Sequence, residues 1–288
     1  SNGESLDRAL EGIEKAYLVS PPSPDQEKLQ SHFVERSIAA GVRHIVKLSA
    51  LGTAPDSPVG LLRAHAGIEE KIIASGIGYT FLRPHFFLEN LLGAAETVKR
   101  DGAIYSPLGD AKISPVSVQD IALVAAEVLS GTGHEGKTYT LTGPESVTYS
   151  RIAEVIGKES GRPVTYVSVS FDAARAAMVQ MGMPVWLADD LVRLQRTWSE
   201  GRGDIVTPTV EALTGRKPIG IEQFIRTYRA AFAKAGYAWR TNVVRSRWTF
   251  SEERGACILK RRGVRSKEVS GVAQVGFRVA HIHKGGVA

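Results

Sequence analysis

The segment Tyr79-Thr-Phe-Leu-Arg-Pro-His-Phe-Phe-Leu-Glu-Asn-Leu-Leu92 is the stretch from which the fold can be read. Its aromatic and β-branched start predicts a buried strand over 79–82, because such side chains suit a pleated surface. Pro84 ends that strand, since proline has no N–H and disfavours helix at the residue before it, and a helix over 86–99 follows. Ligands of open parallel sheets bind beyond the carboxyl ends of the strands. Four residues are therefore predicted to lie at a binding site: Arg83, His85, Phe86 and Asn90.

The chain before this segment alternates between helices and strands. Apolar runs and amphipathic patterns predict helix 5–12, strand 16–19, helix 25–40, strand 44–48 and helix 61–75. Because β-α-β connections are right-handed and parallel, the sequence predicts an α/β fold with a parallel sheet flanked by helices.

The rest of the chain is richer in helices. Segments 104–105 and 112–113 flank Pro107-Leu-Gly-Asp110 and predict either a hairpin or a pair of short edge segments, followed by helix 118–129 and strand 137–141. Further patterns predict helix 149–158, strand 165–169 and helices 171–181, 184–199, 207–213 and 221–235. A smaller, mostly helical lobe is therefore expected over 142–236.

Composition limits the class of protein. The 288 residues include 43% hydrophobic residues, enough for a substantial core. The single cysteine, Cys257, cannot form an internal disulfide, and neither a signal peptide nor a membrane-spanning apolar run is found. The sequence therefore predicts a cytoplasmic protein that does not associate with membranes.

Positive charge is concentrated at the end of the chain. Residues 237–288 contain eleven Lys and Arg against three Asp and Glu, a net charge of +8, which leaves −2 for the rest of the molecule. No nucleic-acid-reading motif accompanies this charge, so nucleic-acid binding is not expected. The segment is expected to be a poorly packed basic tail.

Several motifs in a fixed order resemble the NmrA-like family of atypical short-chain dehydrogenases/reductases. Besides the 79–92 segment they are Ala16-Tyr-Leu-Val-Ser-Pro-Pro22, His44-Ile-Val-Lys-Leu-Ser-Ala50, Pro115-Val-Ser-Val-Gln-Asp-Ile-Ala122, Leu141-Thr-Gly-Pro-Glu145 and Leu213-Thr-Gly-Arg-Lys-Pro218. The resemblance spans residues 4–233 and implies a Rossmann-like domain that binds NADP or NAD, with NADP favoured. The family contains reductases and redox-sensing regulators, so both remain open.

The glycine-rich turn of a Rossmann unit, which binds the pyrophosphate, is not found at the expected place. By the resemblance the chain begins just before the fourth strand, so residues 1–141 are interpreted as a partial Rossmann-like domain that lacks its first strands. Gly131-Thr-Gly-His-Glu-Gly136 matches the fingerprint literally. It follows a helix and precedes a strand, the reverse of the required order, and predicts an ordinary loop.

Catalytic candidates are Ser49 and His65. Ordinary short-chain reductases use a Tyr-x-x-x-Lys pair after the fifth strand together with a serine. Ser49 stands at the end of that strand, but the helix offers His65 and Glu69 at the pair's spacing. His65 could donate a proton with Glu69 stabilising the imidazolium, or both could be surface residues, which is slightly favoured. Lys71 is expected to lie too far around the helix to replace the missing lysine.

The remaining site predictions follow from strand ends and lobe composition. Ser20, Pro21 and Pro22 are expected to line the adenosine side of a cofactor, or to form only a rigid loop. Arg83, Pro84, His85 and Phe86 are expected near the nicotinamide. The alternative is that Arg83 only pairs with Glu89 and that Phe86 only fills the core. Phe86, Asn90, Met181 and Trp186 are candidates for contacting a hydrophobic substrate. His281 and His283 have no further ligands at useful spacing, so no metal site is expected.

The leading hypothesis is an NAD(P)H-dependent reductase of the NmrA-like type. Its substrate would be a small quinone, enone or related secondary metabolite, bound by a monomer or homodimer with 142–236 as the substrate lobe. The alternatives are a dinucleotide-sensing regulator without turnover and a non-functional fragment of either.

Overall fold

The structure is a computed structural model, and it describes residues 3–233 together with two short strands near the C-terminus. The first part alternates as predicted: α1 (Gly3–Leu10), β1 (Lys15–Leu18), α2 (Gln26–Ala39), β2 (His44–Leu48), α3 (Gly60–Ala74) and β3 (Gly78–Pro84). A 3₁₀ segment (Leu88–Ala94), α4 (Ala95–Asp101), β4 (Ala103–Ser106), α5 (Val118–Ser130) and β5 (Lys137–Leu141) follow.

The C-terminal part is mostly helical, as the sequence predicts. It contains α6 (Tyr149–Ser160), β6 (Thr165–Ser168), α7 (Phe171–Gln180), α8 (Val185–Thr197), a π-helical turn (Trp198–Arg202), α9 (Thr209–Thr214) and α10 (Ile221–Phe232). The two separate strands, β7 (Ala256–Ile258) and β8 (Arg278–Ala280), pair antiparallel. The rest of the predicted basic tail, including His281 and His283, lies outside the described residues.

The central sheet is parallel and has the strand order β1-β2-β3-β5. Helices cover both of its faces, so the predicted α/β class is confirmed. Within residues 3–233 no helix is long and apolar enough to cross a membrane.

Side chains along each strand point alternately to the two faces of the sheet, and the face determines which helices a residue packs against. Ile45 and Phe81 pack against α1, α2 and α3, whereas Val46 and Leu82 pack against α5 and α9. Neighbouring strand residues point to opposite faces of a sheet. Lys47 therefore shares the face of Ile45 and points towards the layer of α2 and α3.

The C-terminal helices build a core of their own. The 3₁₀ segment, α4, β4, α6 and α10 surround a cluster in which Ile152, Phe224 and Phe232 are almost completely buried. β4 and β6 pair in parallel beside this cluster. The second half of the chain therefore adds a separate packed unit beside the central sheet.

Pro84 ends β3, as predicted, but the strand is longer than the predicted 79–82, and the Pro84 carbonyl still accepts a hydrogen bond from the N–H of Leu51 (2.9 Å). Two other expectations for local structure are wrong. The helix expected over 86–99 is a 3₁₀ segment followed by the short α4. The expected hairpin is absent from residues 103–113: β4 pairs with the distant β6, and Ile113 bridges to Val147.

Candidate functional site

Ser49 lies at the carboxyl end of β2, where the sequence predicts it. The side chain is buried, and its hydroxyl donates to Oε1 of Glu69 at 2.5 Å, with Oγ1 of Thr53 at 3.2 Å. A serine hydroxyl carries one proton. That proton is directed into the protein, so Ser49 fixes the Glu69 carboxylate.

Arg83 and Glu69 form a two-pronged ion pair between β3 and α3. Arg83 donates from Nε to Oε1 (3.2 Å) and from Nη2 to Oε2 (2.5 Å), and the Glu69 side chain is only 5% exposed. The expected alternative pairing of Arg83 with Glu89 is wrong, because Glu89 accepts instead from the Ser117 hydroxyl and the Val118 N–H. The interpretation of Glu69 as a surface residue is also wrong, since α3 turns it towards the sheet.

Lys47 is a completely buried lysine on β2, and sequence reasoning missed it. Its Nζ lies 2.6 Å from Nδ1 of His65 and 3.3 Å from the carbonyl oxygen of Leu48. Burial lowers the pKa of Lys47 to about 7; Glu69 opposes this effect and Arg83 adds to it. The available signal was a lysine inside the apolar run 44–48, where a charged residue is expensive to bury.

His65 lies beside Lys47, and both interpretations of this residue need correction. It is neither a plain surface residue nor an imidazolium held by Glu69, whose carboxylate is occupied by Ser49 and Arg83. Burial, reinforced by the charges of Lys47 and Arg83, lowers the pKa of His65 to about 3. The ring is therefore neutral near pH 7.

Lys71 does not replace the missing lysine, as the sequence predicts. Its Nζ bonds to Oε1 of Glu27 (2.9 Å) and the hydroxyl of Ser31 (3.1 Å), and the side chain is half exposed. The cation that lies beside His65 is instead Lys47 of strand β2.

Two buried glutamines of α2 extend the polar layer towards the end of β1. Nε2 of Gln26 lies 3.4 Å from Nε2 of His65, and Nε2 of Gln30 donates to Oγ of Ser20 at 2.8 Å. The Oε1 atoms of both glutamines have no hydrogen-bond partner among the described residues. A buried acceptor without a donor is energetically costly.

Ser20, Pro21 and Pro22 follow β1 on the same edge of the sheet. Ser20 is half-buried through Gln30, whereas both prolines are exposed. Residues 20–22 are thus placed at the crevice opening next to the buried glutamines. Their predicted contact with a cofactor remains a prediction.

His85 joins the end of β3 to the C-terminal helices. Nδ1 accepts from the N–H of Phe86 (2.6 Å), and Nε2 donates to the carbonyl of Gly203 (3.0 Å). Burial lowers the pKa of His85 to about 4, although the bond to Gly203 works in the opposite direction. Both ring nitrogens are used within the protein, and Pro84 before it is buried. Pro84 and His85 therefore shape the site, and His85 offers no ring nitrogen to a ligand.

Trp198 is a second residue that sequence reasoning missed. Its ring stacks on His85 with centroids 5.1 Å apart and meets Phe86 edge-on at 5.9 Å. Phe86 is thus held half-buried at the rim of the site, while Asn90 in the 3₁₀ segment is exposed. No pattern near Trp198 links it to a segment more than a hundred residues earlier, so its role was not predictable.

Asp190 of α8 contacts the start of α3 and caps that helix, although the two helices are far apart in the sequence. The buried carboxylate accepts from the N–H groups of Gly60 (3.0 Å) and Leu61 (2.8 Å). Residues four apart share a helix face, so the half-buried Trp186 lies on the face of α8 that meets α3. Met181, in the turn between α7 and α8, is 75% exposed, and its predicted contact with a substrate stays a prediction.

The literal glycine fingerprint is an ordinary loop, as predicted. Residues 131–136 lie between α5 and β5, at the amino end of the sheet and away from this site. Among residues 3–233 no group of His, Cys, Asp and Glu could hold a metal ion.

The site is therefore a polar layer at the carboxyl edge of a parallel sheet, partly covered by an aromatic and helical lobe. This geometry defines a Rossmann-like α/β fold, a class in which ligands bind beyond the carboxyl ends of the strands. The chain belongs to the NmrA-like family, which matches residues 1–224.

Named relatives and solved structures agree with the family. The NAD(P)H azoreductase of Xenophilus azovorans is 36% identical over 231 residues, covering 80% of this chain and 81% of the relative. The NADPH-dependent quinone oxidoreductase of Escherichia coli, solved with NADPH, has a TM-score of 0.73 at 32% identity, covering 79% of this chain and 80% of that one. The triphenylmethane reductase of Citrobacter sp., solved with NADP(H), gives 0.70 at 27% identity, covering 78% and 80%.

Proposed function

We propose that this protein is an NAD(P)H-dependent oxidoreductase that reduces a small quinone, enone or related secondary metabolite. The observation that carries the proposal is the buried polar layer at the carboxyl edge of the sheet, in which Nζ of Lys47 lies 2.6 Å from Nδ1 of His65. The names of the relatives, an azoreductase and a quinone oxidoreductase, support the reaction class. NADP is favoured over NAD because two similar structures were solved with NADPH or NADP(H).

The proposed cofactor residues divide the strand ends into two regions. Ser20, Pro21 and Pro22, with Gln30 behind them, would hold the adenosine side of the cofactor. The nicotinamide side would lie at Ser49 and residues 83–86, where the Arg83–Glu69 pair keeps the end of β3 in place. Bound NAD(P)H supplies the hydride.

The substrate would lie between the end of β3 and α8. Phe86 offers a half-exposed ring held by Trp198, and Asn90 offers an exposed amide. Trp186 and Met181 would form the opposite wall of the substrate site. Asp190 links α8 to α3, because its carboxylate accepts hydrogen bonds from the first N–H groups of α3. These groups are mostly apolar, which suits a flat aromatic or conjugated substrate.

The test is oxidation of NADPH and NADH by the purified chain in the presence of a panel of quinones, enones and azo compounds. Acceptor-dependent oxidation is expected, with lower KM for NADPH than for NADH. Phe86→Ala should raise KM for the acceptor and leave cofactor affinity unchanged, whereas Tyr105→Ala, an exposed aromatic on β4, serves as the matched control. Cofactor binding without turnover of any acceptor would contradict the proposal and favour a dinucleotide-sensing regulator.

A further inference from the structure

In the part of the chain that the structure describes, Lys47 has one side-chain hydrogen-bond partner, the neutral His65. Its Nζ lies 2.6 Å from Nδ1 of His65, and among residues 3–233 it forms no ion pair with a carboxylate. An ammonium group can only donate, so Nδ1 of His65 accepts and the ring proton sits on Nε2. The two side chains are thus arranged donor to acceptor, with a transferable proton at the far end of the ring.

The charged groups around this pair are already satisfied by each other. From α3, Glu69 faces Lys47 but binds Arg83 of β3 and Ser49. From α2, the neutral Gln26 faces the far nitrogen of His65. Arg83 and Glu69 compensate each other, so within residues 3–233 the buried Lys47 ammonium forms no ion pair of its own, a state that favours release of its proton.

Gln26 is the group that faces the far nitrogen of His65, Nε2, at 3.4 Å. As oriented, its amide nitrogen faces a ring nitrogen that also donates, while its Oε1 is buried without a partner. Exchanging the amide oxygen and nitrogen would let Oε1 accept from Nε2 of His65. A ligand oxygen at the end of the sheet could accept the same proton in its place.

We propose that Lys47 and His65 form a proton relay that delivers the proton required when the substrate is reduced. This inference rests on the proposed function, because a relay of this kind needs a reaction that consumes a proton. The proposal gives the lysine role to Lys47, which lies on strand β2. In ordinary short-chain reductases the corresponding lysine lies on the helix that follows the strand.

The relay balances atoms and charge. Reduction of a quinone or enone adds one hydride, from the nicotinamide of NAD(P)H, and one proton. His65 releases the Nε2 proton to the oxygen that becomes electron-rich, and Nδ1 takes a proton from the Lys47 ammonium. His65 is left neutral as its other tautomer, Lys47 becomes a neutral amine, and solvent returns the proton after product release.

The test compares Lys47→Met and His65→Gln with Lys71→Met, the same chemical change at a half-exposed lysine of α3. With the best quinone acceptor, kcat of the wild-type protein should fall as pH rises through about 7, the pKa of Lys47. Lys47→Met and His65→Gln should lower kcat by about 100-fold or more and remove this dependence. The dissociation constant for NADPH, followed by nicotinamide fluorescence, should change little, and Lys71→Met should behave as wild type.

A second readout needs no turnover. In the ligand-free protein, the imidazole nitrogen shifts of His65, measured by NMR, should change between pH 6 and 8 as Lys47 loses its proton, and Lys47→Met should abolish the change. Circular dichroism confirms that each variant is folded. Wild-type kcat and pH dependence in a folded Lys47→Met variant would overturn the relay alone. A wild-type protein that binds NADPH but reduces no acceptor would overturn the proposed function and the relay with it.

Discussion

At the scale of single residues, the candidate site is built from charged groups that the sheet and α3 bury together. Lys47, Ser49 and Arg83 come from two neighbouring strands, and His65 and Glu69 come from one helix face. These charged groups bond to one another, whereas the buried Oε1 acceptors of Gln26 and Gln30 have no donor among residues 3–233. Charged and polar side chains that are usually found at protein surfaces thus form a buried polar layer.

Breaking the Arg83–Glu69 pair should destabilise the fold strongly. Arg83→Met leaves the Glu69 carboxylate buried without its cation, and we expect a loss of about 3–5 kcal/mol in the free energy of unfolding. Lys71→Met, which breaks an exposed pair with Glu27, should cost about 1 kcal/mol or less. Urea denaturation of both variants measures the difference, and equal losses would contradict the burial of Glu69.

His85 should make the protein sensitive to acid. Its pKa is lowered from 6.5 to about 4 in the folded protein, so below pH 6.5 the unfolded chain binds more protons than the folded one. Stability is therefore lost as pH falls from 6.5 to about 4, by about 3 kcal/mol for this residue. Denaturation curves across that range should be less pH-dependent for His85→Asn than for wild type; identical pH dependence would refute a neutral buried His85.

At the scale of elements, helices are joined by capping groups from distant parts of the chain. Asp190 of α8 caps α3, and Glu89 of the 3₁₀ segment accepts from the first N–H of α5. Unsatisfied N–H groups at a helix start attract carboxylates. These contacts join α8 and the 3₁₀ segment to α3 and α5, the helices that pack on the two faces of the central sheet.

Asp190 and Gly60 should be energetically coupled. Asp190→Ala removes the cap of α3 and should cost about 1–2 kcal/mol. A Cβ at residue 60 would lie 2.7 Å from Oδ2 of Asp190, so Gly60→Ala should destabilise the wild type. In an Asp190→Ala background the same change should be neutral or stabilising, because alanine favours helix. A double-mutant cycle by chemical denaturation measures this coupling, with Asp189→Ala as the control; additive effects would contradict the cap.

The sequence predicts elements better than it predicts contacts between them. The bounds of β2 and β5 match the prediction because β2 is a largely apolar run and β5 is rich in β-branched and aromatic residues and lies between Gly136 and Gly143. The hairpin at 104–113 was wrong because β4 pairs with β6, some sixty residues away, and no local pattern reports that pairing. For the same reason the orientation of His65 and Glu69, the burial of Lys47 and the contacts of Trp198 could not be deduced from spacing alone.

At the scale of the whole molecule, the central sheet and the C-terminal helices meet at the carboxyl edge of the sheet. Parallel strands bring the ends of β1, β2 and β3 to this edge, where Trp198 of the π-helical turn stacks on His85 and Asp190 of α8 caps α3. The NmrA-like family membership agrees with this arrangement. A cofactor bound at that edge would contact the two parts of the fold together.

NADPH should therefore stabilise the folded protein as a whole. A ligand that binds only the folded state adds about 2.7 kcal/mol at a hundred times its dissociation constant. We expect the midpoint of thermal unfolding to rise with NADPH concentration, and to rise less with NADH at equal concentrations. An unchanged midpoint at saturating NADPH would show that the strand ends do not bind the cofactor.

The most direct test of the central claim is to follow the hydride itself. The purified protein would be incubated with an enone acceptor and NADPH carrying deuterium at the transferable position, and the product analysed by mass spectrometry. Our account predicts one deuterium on carbon in the product and formation of NADP in equal amount. A product without deuterium, or oxidation of NADPH that does not depend on the acceptor, would contradict a hydride-transferring reductase.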